Sequence, residues 1–293
     1  MLKRWTATDA VVAAILGLVA LTSLVPILNT IAISLSDKTS AAMGKVYVWP
    51  VNFTLSSYQA ILEEKQFLVS FMNSVKRVAL GVSINMILII LMAYPLSKAP
   101  AVFRAKRYYI WIIVFTMLFN GGLVPTFLVV KNLQLMDTIW ALVLPGAVPV
   151  FSVILLMNFF KSVPESLEEA AMVDGATPWY LLWRVYIPLS KAAIATVALF
   201  AVVMHWNAFF DGKIYINTPE NLPLQTYIQS LVVDLNPQQM ASMTPEQLEE
   251  QMKMSSLTFN SAKVMVSMIP ILLIYPFLQR YFVKGIVIGA VKE

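Results

Sequence analysis

Six long apolar runs constrain this chain more than any other feature; they fall at about 11–33, 70–96, 108–130, 138–160, 191–210 and 260–283. Each approaches the roughly 20 residues that a helix needs to cross about 30 Å of hydrocarbon. Within hydrocarbon every backbone N–H and C=O must be satisfied by the protein itself, which leaves only helices and closed barrels. A barrel strand would alternate in polarity over about ten residues, whereas these runs are continuously apolar. The expected fold is therefore an all-α polytopic membrane protein with six transmembrane helices. Composition agrees: 59% of the 293 residues are hydrophobic, 13% are charged and mean hydropathy is +0.73, outside the range of soluble domains.

The first run follows Met1-Leu2-Lys3-Arg4, a basic start like that of a secretory signal. Its apolar core is too long for one and no clear small-x-small cleavage site follows, so it reads as a retained anchor. Basic residues set the orientation. Lys3 and Arg4, then Lys98, Arg104, Lys106 and Arg107, then Lys161, Arg184 and Lys191, and finally Arg280, Lys284 and Lys292 fall on one side. Lys38, Lys45, Lys65, Lys213 and Lys253 are spread over longer opposite segments, so both termini are expected in the cytoplasm. The net charge of +5 is thus a topological signal. No basic stripe with interleaved aromatics suggests nucleic acid.

Two external segments read as ordered, at about 37–69 and 211–258. The first carries Tyr47-Val48-Trp49-Pro50 and a short interfacial helix from Leu55, with Ser56 or Ser57 as its cap. The second carries a helix start at Thr244-Pro245-Glu246-Gln247. No repeat or low-complexity segment separates a second domain, so one membrane domain is expected over 1–293.

Catalytic chemistry has few residues to draw on. The chain has no cysteine and a single histidine, His205, so no disulfide, thiolate or multi-histidine metal set is available. No Gly-rich phosphate loop is present, and ATP chemistry would have to reside in another polypeptide. An enzyme reading is weak on these grounds.

The cytoplasmic loop at about 162–190 contains the informative polar interruption, Glu168-Glu169-Ala170-Ala171-Met172-Val173-Asp174-Gly175-Ala176 followed by Val185-Tyr186-Ile187-Pro188. Gly175 and Pro178 break the helix that the acidic front begins. The pattern predicts a short helix, a turn and a second short helix, a place for a soluble partner. Asp174 either bonds backbone amides of the turn or is a solvated acid.

Glu169-Ala170-Ala171, three residues, Gly175, then nine residues to Val185-Tyr186-Ile187-Pro188 resembles the EAA loop of permease subunits in bacterial binding-protein-dependent ABC importers. The resemblance covers nearly the whole chain and is to the carbohydrate-uptake, maltose-type permeases. It is carried further by Asn73-Ser74, Asn120-Gly121-Gly122-Leu123-Val124-Pro125, Trp206-Asn207 and the closing 284–292. Asn120-Gly121-Gly122 and His205-Trp206-Asn207 with Asp211-Gly212 are similar to the branch importing larger oligosaccharides, pectin-derived and alginate-derived ones included. Within it the chain most resembles the smaller permease subunits of alginate oligosaccharide importers.

The resemblance implies the type I ABC importer permease fold in the bacterial cytoplasmic (inner) membrane. It also implies a second homologous permease, two ATPase subunits holding ATP and Mg, and an external solute-binding protein that delivers the sugar. No cofactor is expected in this chain itself. The loop would then be the coupling helix that docks on the ATPase, through Glu168, Glu169, Ala170, Ala171, Asp174, Gly175, Ala176 and Pro188. Glu168 and Glu169 near a helix N-terminus would meet basic residues of the ATPase, with a solvated acid as the other reading of Glu168. Lys292 and Glu293 at the C-terminal tail either add contacts or fray.

Substrate contacts are less determined. Trp206 and Asn207 lie where the fifth span meets the outside, and line the cavity or pack the bundle. Lys76 and Arg77 break the orientation rule near the outer end of the second span. They snorkel to the interface or meet an anionic sugar. Pro145 and Pro149 flanking Gly146 should kink the fourth span, and Pro270 and Pro276 the sixth. An ion-gradient-driven secondary sugar transporter is the competing reading; it needs ionisable residues at mid-span and repeat symmetry, for which the chain offers little.

Overall fold

The computed structural model describes residues 6–232 and 257–290, with the side chains of the second segment described as far as 276. Lys3, Arg4, Lys253, the expected helix start at 244–247, Lys292, Glu293 and the side chains of Arg280 and Lys284 lie outside the described residues. The described chain is helical, without a strand. Three helices are long and apolar enough to cross a membrane alone, and up to six spans result if each sharply bent pair counts as one.

The chain divides into two compact units, residues 1–68 with 227–269, and residues 69–226 with 270–293. In the first, α1 (Ala7–Ser34) opens on a reciprocal capping box between Thr6 and Asp9. Its apolar side chains, Val11, Ile15, Leu18 and Leu21 among them, are exposed around the whole helix, as suits a helix in lipid. Asp37 then caps α2 (Lys38–Ala42) by accepting from the Thr39 and Ser40 amides, both at 3.1 Å. The expected interfacial helix is present as α3 (Ser56–Glu63), but neither serine caps it. Ser57 is buried, and the Thr54 hydroxyl oxygen accepts from the Ser56 amide at 3.2 Å.

Span two is α4 (Lys65–Ser97), a single 33-residue helix. Span three, read from one apolar run at about 108–130, is not a single helix. It consists of α5 (Lys106–Leu118) and α6 (Leu123–Asn132), bent by 110° at the intervening residues. Gly122 sits at φ +87°, where a side chain is strained, and donates its amide to Asn120 Oδ1 at 2.9 Å. An apolar run reports burial in lipid and is silent about backbone direction.

Span four breaks where Pro145, Gly146 and Pro149 predict, between α7 (Ile139–Val143) and α8 (Val150–Lys161). The carbonyls freed by the break need donors, and Asn85 Nδ2 on α4 reaches Gly146 O at 3.0 Å and Ala147 O at 2.8 Å. Asn85 Oδ1 is then left to accept, so His205 Nε2, 2.7 Å away, carries the proton. His205 is 2% exposed. Its ring occupies the space a Cβ at position 81 would need, with ring atoms 2.4–2.7 Å from that point, so Gly81 is what permits the approach.

After α8 the chain turns by 72° into α9 (Glu165–Val173). It continues through α10 (Pro178–Leu181), a π-helical turn Leu182–Tyr186 and α11 (Ile187–Leu189). A further turn of 83° leads into α12 (Lys191–Asn207). Pro188 cannot donate to the carbonyl one turn back; the run widens there, and the Ile187 amide reaches Leu182 O. The segment expected outside the membrane continues as α13 (Phe210–Tyr215), a 3-10 turn Pro219–Asn221 and α14 (Leu224–Val232). Asp137 pins its middle, accepting from the Asn217 and Thr218 amides at 3.0 Å and from the Thr218 hydroxyl. The last helix, α15 (Leu257–Ala290), contains Pro270 and Pro276.

Candidate functional site

The loop singled out in the sequence forms the expected helix, turn and helix. Glu165 and Glu168 in the first turn of α9 favour its positive N-terminal end. Its C-terminus is a Schellman turn. The Gly175 amide donates to Met172 O at 3.0 Å and the Ala176 amide to Ala171 O at 2.9 Å. Gly175 takes φ +79°, which explains the glycine. Ala171 and Ala176, the two positions where this turn favours apolar residues, each pack on the core below. Thr177 caps the second helix by accepting from the Tyr180 amide at 3.3 Å, with Pro178 following at the first helical position. Of the two readings of Asp174, the structure shows the solvated acid rather than the turn-bonding one. Among the described residues the exposed Asp174 carboxylate has no hydrogen bond.

The outer face of this element is apolar as well as acidic. Leu167, Met172, Val173, Trp179 and Tyr180 are exposed, Val173 at 88%, and Glu169 and Ala170 are exposed beside them. Pro188 is exposed on the neighbouring turn.

Glu168 is placed differently from both sequence readings. It points inward: Lys98 Nζ, just past the end of α4, donates to Glu168 Oε1 at 2.6 Å, and the Tyr186 hydroxyl donates to Oε2. Lys98 also donates to the Tyr186 hydroxyl oxygen at 2.9 Å and lies 4.3 and 4.1 Å from the ring centroids of Tyr94 and Tyr186. Burial pushes the Lys98 ammonium below the usual lysine value, and its bond to Glu168 pulls it back up in part. Adjacent helical positions diverge by about 100°, which leaves Glu169 facing outward.

Arg77 also departs from expectation. It is 2% exposed and forms a bidentate pair with Asp211 of α13, with further bonds to Ala208 O at 3.3 Å and Leu142 O at 3.4 Å. Buried and paired in this way, it ties α4 to α13. Lys76 is exposed and lines a cavity of about 260 Å³ with Asn73, Asp137, Thr138, Asn221 and Pro223. Trp206 is 4% exposed and packs edge-on against Phe71, centroids 5.7 Å apart, so it belongs to the bundle. Asn207 beside it is exposed.

Sequence reasoning missed Lys98 and Tyr186 as partners of Glu168, Asp211 as partner of Arg77, and a second buried lysine–glutamate–tyrosine group. In that group Lys263 Nζ lies 2.7 Å from Glu64 Oε2 and 3.2 Å from the Tyr227 hydroxyl. The usable signal was that a lysine or arginine inside or at the end of an apolar run needs a partner.

Residues 70–288 match the family described as binding-protein-dependent transport system inner membrane component. The polygalacturonan/rhamnogalacturonan transport system permease protein YtcP of Bacillus subtilis (strain 168) is 36% identical over 97% of this chain and 98% of its own. Protein LplC of the same organism is 37% identical over 94% of this chain and 92% of its own. A crystal structure of a bacterial ABC transporter involved in the import of the acidic polysaccharide alginate superposes with a TM-score of 0.84. It is 35% identical, covering 95% of this chain and 99% of that one. With an EAA-type loop folded as a capped helix and turn inside the matched region, the chain belongs to the inner membrane components of binding-protein-dependent transport systems.

Proposed function

We propose that this chain is one of two permease subunits of an ATP-driven importer that carries acidic oligosaccharides across the bacterial cytoplasmic membrane. One observation carries the reading: a short acidic-fronted helix, closed by a Schellman turn, turns an apolar face outward from a polar loop. Such a face asks for a partner, and the basic residues flanking the loop support a cytoplasmic position for it. A pair of ATPase subunits holding ATP and Mg would receive α9 and the coupling helix of the second permease. Closure of that pair draws the two coupling helices together, and the bundle changes access from one side to the other. An external solute-binding protein delivers the sugar.

The acidic nature of the cargo rests on chemistry shared by two relatives, since polygalacturonan and alginate are both polymers of uronic acids. With Arg77 occupied by Asp211, Lys76 is the member of that pair open to a carboxylate. Lys76→Ala should slow uptake of uronate oligosaccharides more than that of neutral ones.

The chain has no cysteine, so Val173→Cys introduces a unique thiol on the outer face of α9. In the assembled importer it should cross-link to the ATPase from the cytoplasmic side, with a yield that changes when ATP binds. Labelling of that thiol by an impermeant reagent applied outside intact cells, with no cross-link, would overturn both the orientation and the docking role.

A further inference from the structure

Glu168 is one residue from the outward-facing Glu169, yet both its oxygens are consumed inside the protein. The three groups that hold it together come from three elements: Lys98 from the end of α4, Glu168 from α9, and Tyr186 from the π-helical turn that leads through Pro188 into α12. Tyr94, Phe160 and Tyr186 form an edge-to-face aromatic platform beneath them, with centroids 5.1, 5.5 and 6.5 Å apart. That platform is continuous with Ile89, Leu156, Leu182 and Val197 of the bundle core. A salt bridge loose in water transmits no force, because its partners exchange for solvent. This one is largely buried, with side chains 9% and 13% exposed, and every polar atom facing its partner is paired.

We propose that Lys98, Glu168 and Tyr186 form a rigid charge clamp that fixes the coupling helix to spans two and five, so that displacement of α9 moves the bundle. Glu168 and Lys98 are then positioning residues for transport, while Glu169 and the apolar face make the contact with the ATPase. The inference rests on the importer reading and adds to it the path by which movement leaves the coupling helix. The π-helical turn suits this role, since it carries both Tyr186 and the adjustment to Pro188 at the point where α9's neighbour becomes the fifth span. Rigid elements joined by a network with few alternative arrangements are what carries coupling between separated sites.

The test uses the whole importer, with both permeases, ATPase and binding protein, in proteoliposomes supplied with alginate oligosaccharide or oligogalacturonate. ATPase retention, ATP hydrolysis and sugar uptake are measured on the same preparation. For Lys98→Met and Glu168→Gln the ATPase should remain bound, while sugar carried per ATP hydrolysed falls about fivefold or more, the scale of a typical coupling energy. Tyr186→Phe keeps the platform and removes only the hydroxyl, so it should fold even where the others do not and give a smaller loss of the same kind. The exchange Lys98→Glu with Glu168→Lys should recover part of the ratio. An unchanged ratio in Tyr186→Phe and Lys98→Met overturns the clamp. So does loss of the ATPase from Glu168→Gln alone, which would put Glu168 at the docking surface. Failure of the unaltered complex to couple hydrolysis to either sugar would count against the importer reading instead.

Discussion

Replacing one partner of the Arg77–Asp211 pair should be asymmetric, and the asymmetry separates a structural tie from a substrate contact. Arg77 is 3% exposed in its side chain and Asp211 28%. Asp211→Asn leaves a guanidinium buried without its counter-charge, with only neutral acceptors, the Ala208 and Leu142 carbonyls and the new side-chain amide oxygen. An unpaired buried charge costs about 3–5 kcal/mol, and the bonds that remain put the expectation at about 3 kcal/mol. Arg77→Met leaves a carboxylate that is partly hydrated and still accepts the Gly212 amide at 2.8 Å, so about 1–2 kcal/mol is expected. The double variant Arg77→Met/Asp211→Asn strands no charge and should lie within about 1 kcal/mol of the native protein. Thermal unfolding of the purified complex reads this directly. A change of about 3 kcal/mol shifts the midpoint of a chain this size by about 6–12 °C. Uptake of uronate oligosaccharides should follow stability and recover in the double variant. If Arg77→Met were fully stable, and the double variant equally inactive, Arg77 would be a sugar ligand and the tie would be wrong.

Three further outcomes follow from local geometry. Gly81→Ala drives a Cβ into the His205 ring, which Asn85 holds in place; overpacking of this kind costs about 1–3 kcal/mol and should lower the midpoint of unfolding. Gly175→Val meets no neighbour but forces a β-branched residue to φ +79°. Destabilisation of the turn by roughly 1–2 kcal/mol should cut sugar-stimulated ATP hydrolysis, while Gly175→Asn, which tolerates that region, should keep most of it. The bonds from Thr218 and Asn217 hold the Asp137 carboxyl below its usual value of 3.8. A depressed carboxylate contributes stability above its unfolded value and loses it as pH falls through the folded one. Protection of the Thr218 amide against hydrogen exchange should therefore persist through pH 4 and fall below it; loss already at pH 5 would contradict the Asp137 anchor.

Much of the architecture was legible because lipid imposes one rule on every span. The six apolar runs, the break at Pro145 and Pro149 and the turn at Gly175 each have a local cause that a sequence displays. The sharp bend in span three was less visible. Asn120-Gly121-Gly122 sits inside a run whose hydropathy looks uninterrupted, and only the backbone reveals that the run changes direction there. Polar side chains were harder still, because their roles depend on distant partners. Arg77 could be flagged as a charge in an apolar run, but Asp211 lies 134 residues away in sequence. Glu168 reads as a surface acid until Lys98, 70 residues earlier, is brought to it by the packing of α4. Caps showed the same limit on a smaller scale. Ser56 and Ser57 fall inside α3, whose N-cap Leu55 has no side-chain cap, and the second helix of the loop is capped by Thr177; several residues near a helix start can serve, and their backbone angles choose among them.

The central claim is ATP-driven import of acidic sugar, and uptake into proteoliposomes containing the full importer tests it most directly. Uronate and neutral oligosaccharides of equal length would be offered with ATP inside, with and without the binding protein, and with the ion gradients collapsed by ionophores. Uptake of the uronate should require ATP and the binding protein, ignore the ionophores and exceed uptake of the neutral sugar. Uptake driven by an ion gradient without ATP, or a preference for the neutral oligosaccharide, would contradict the account.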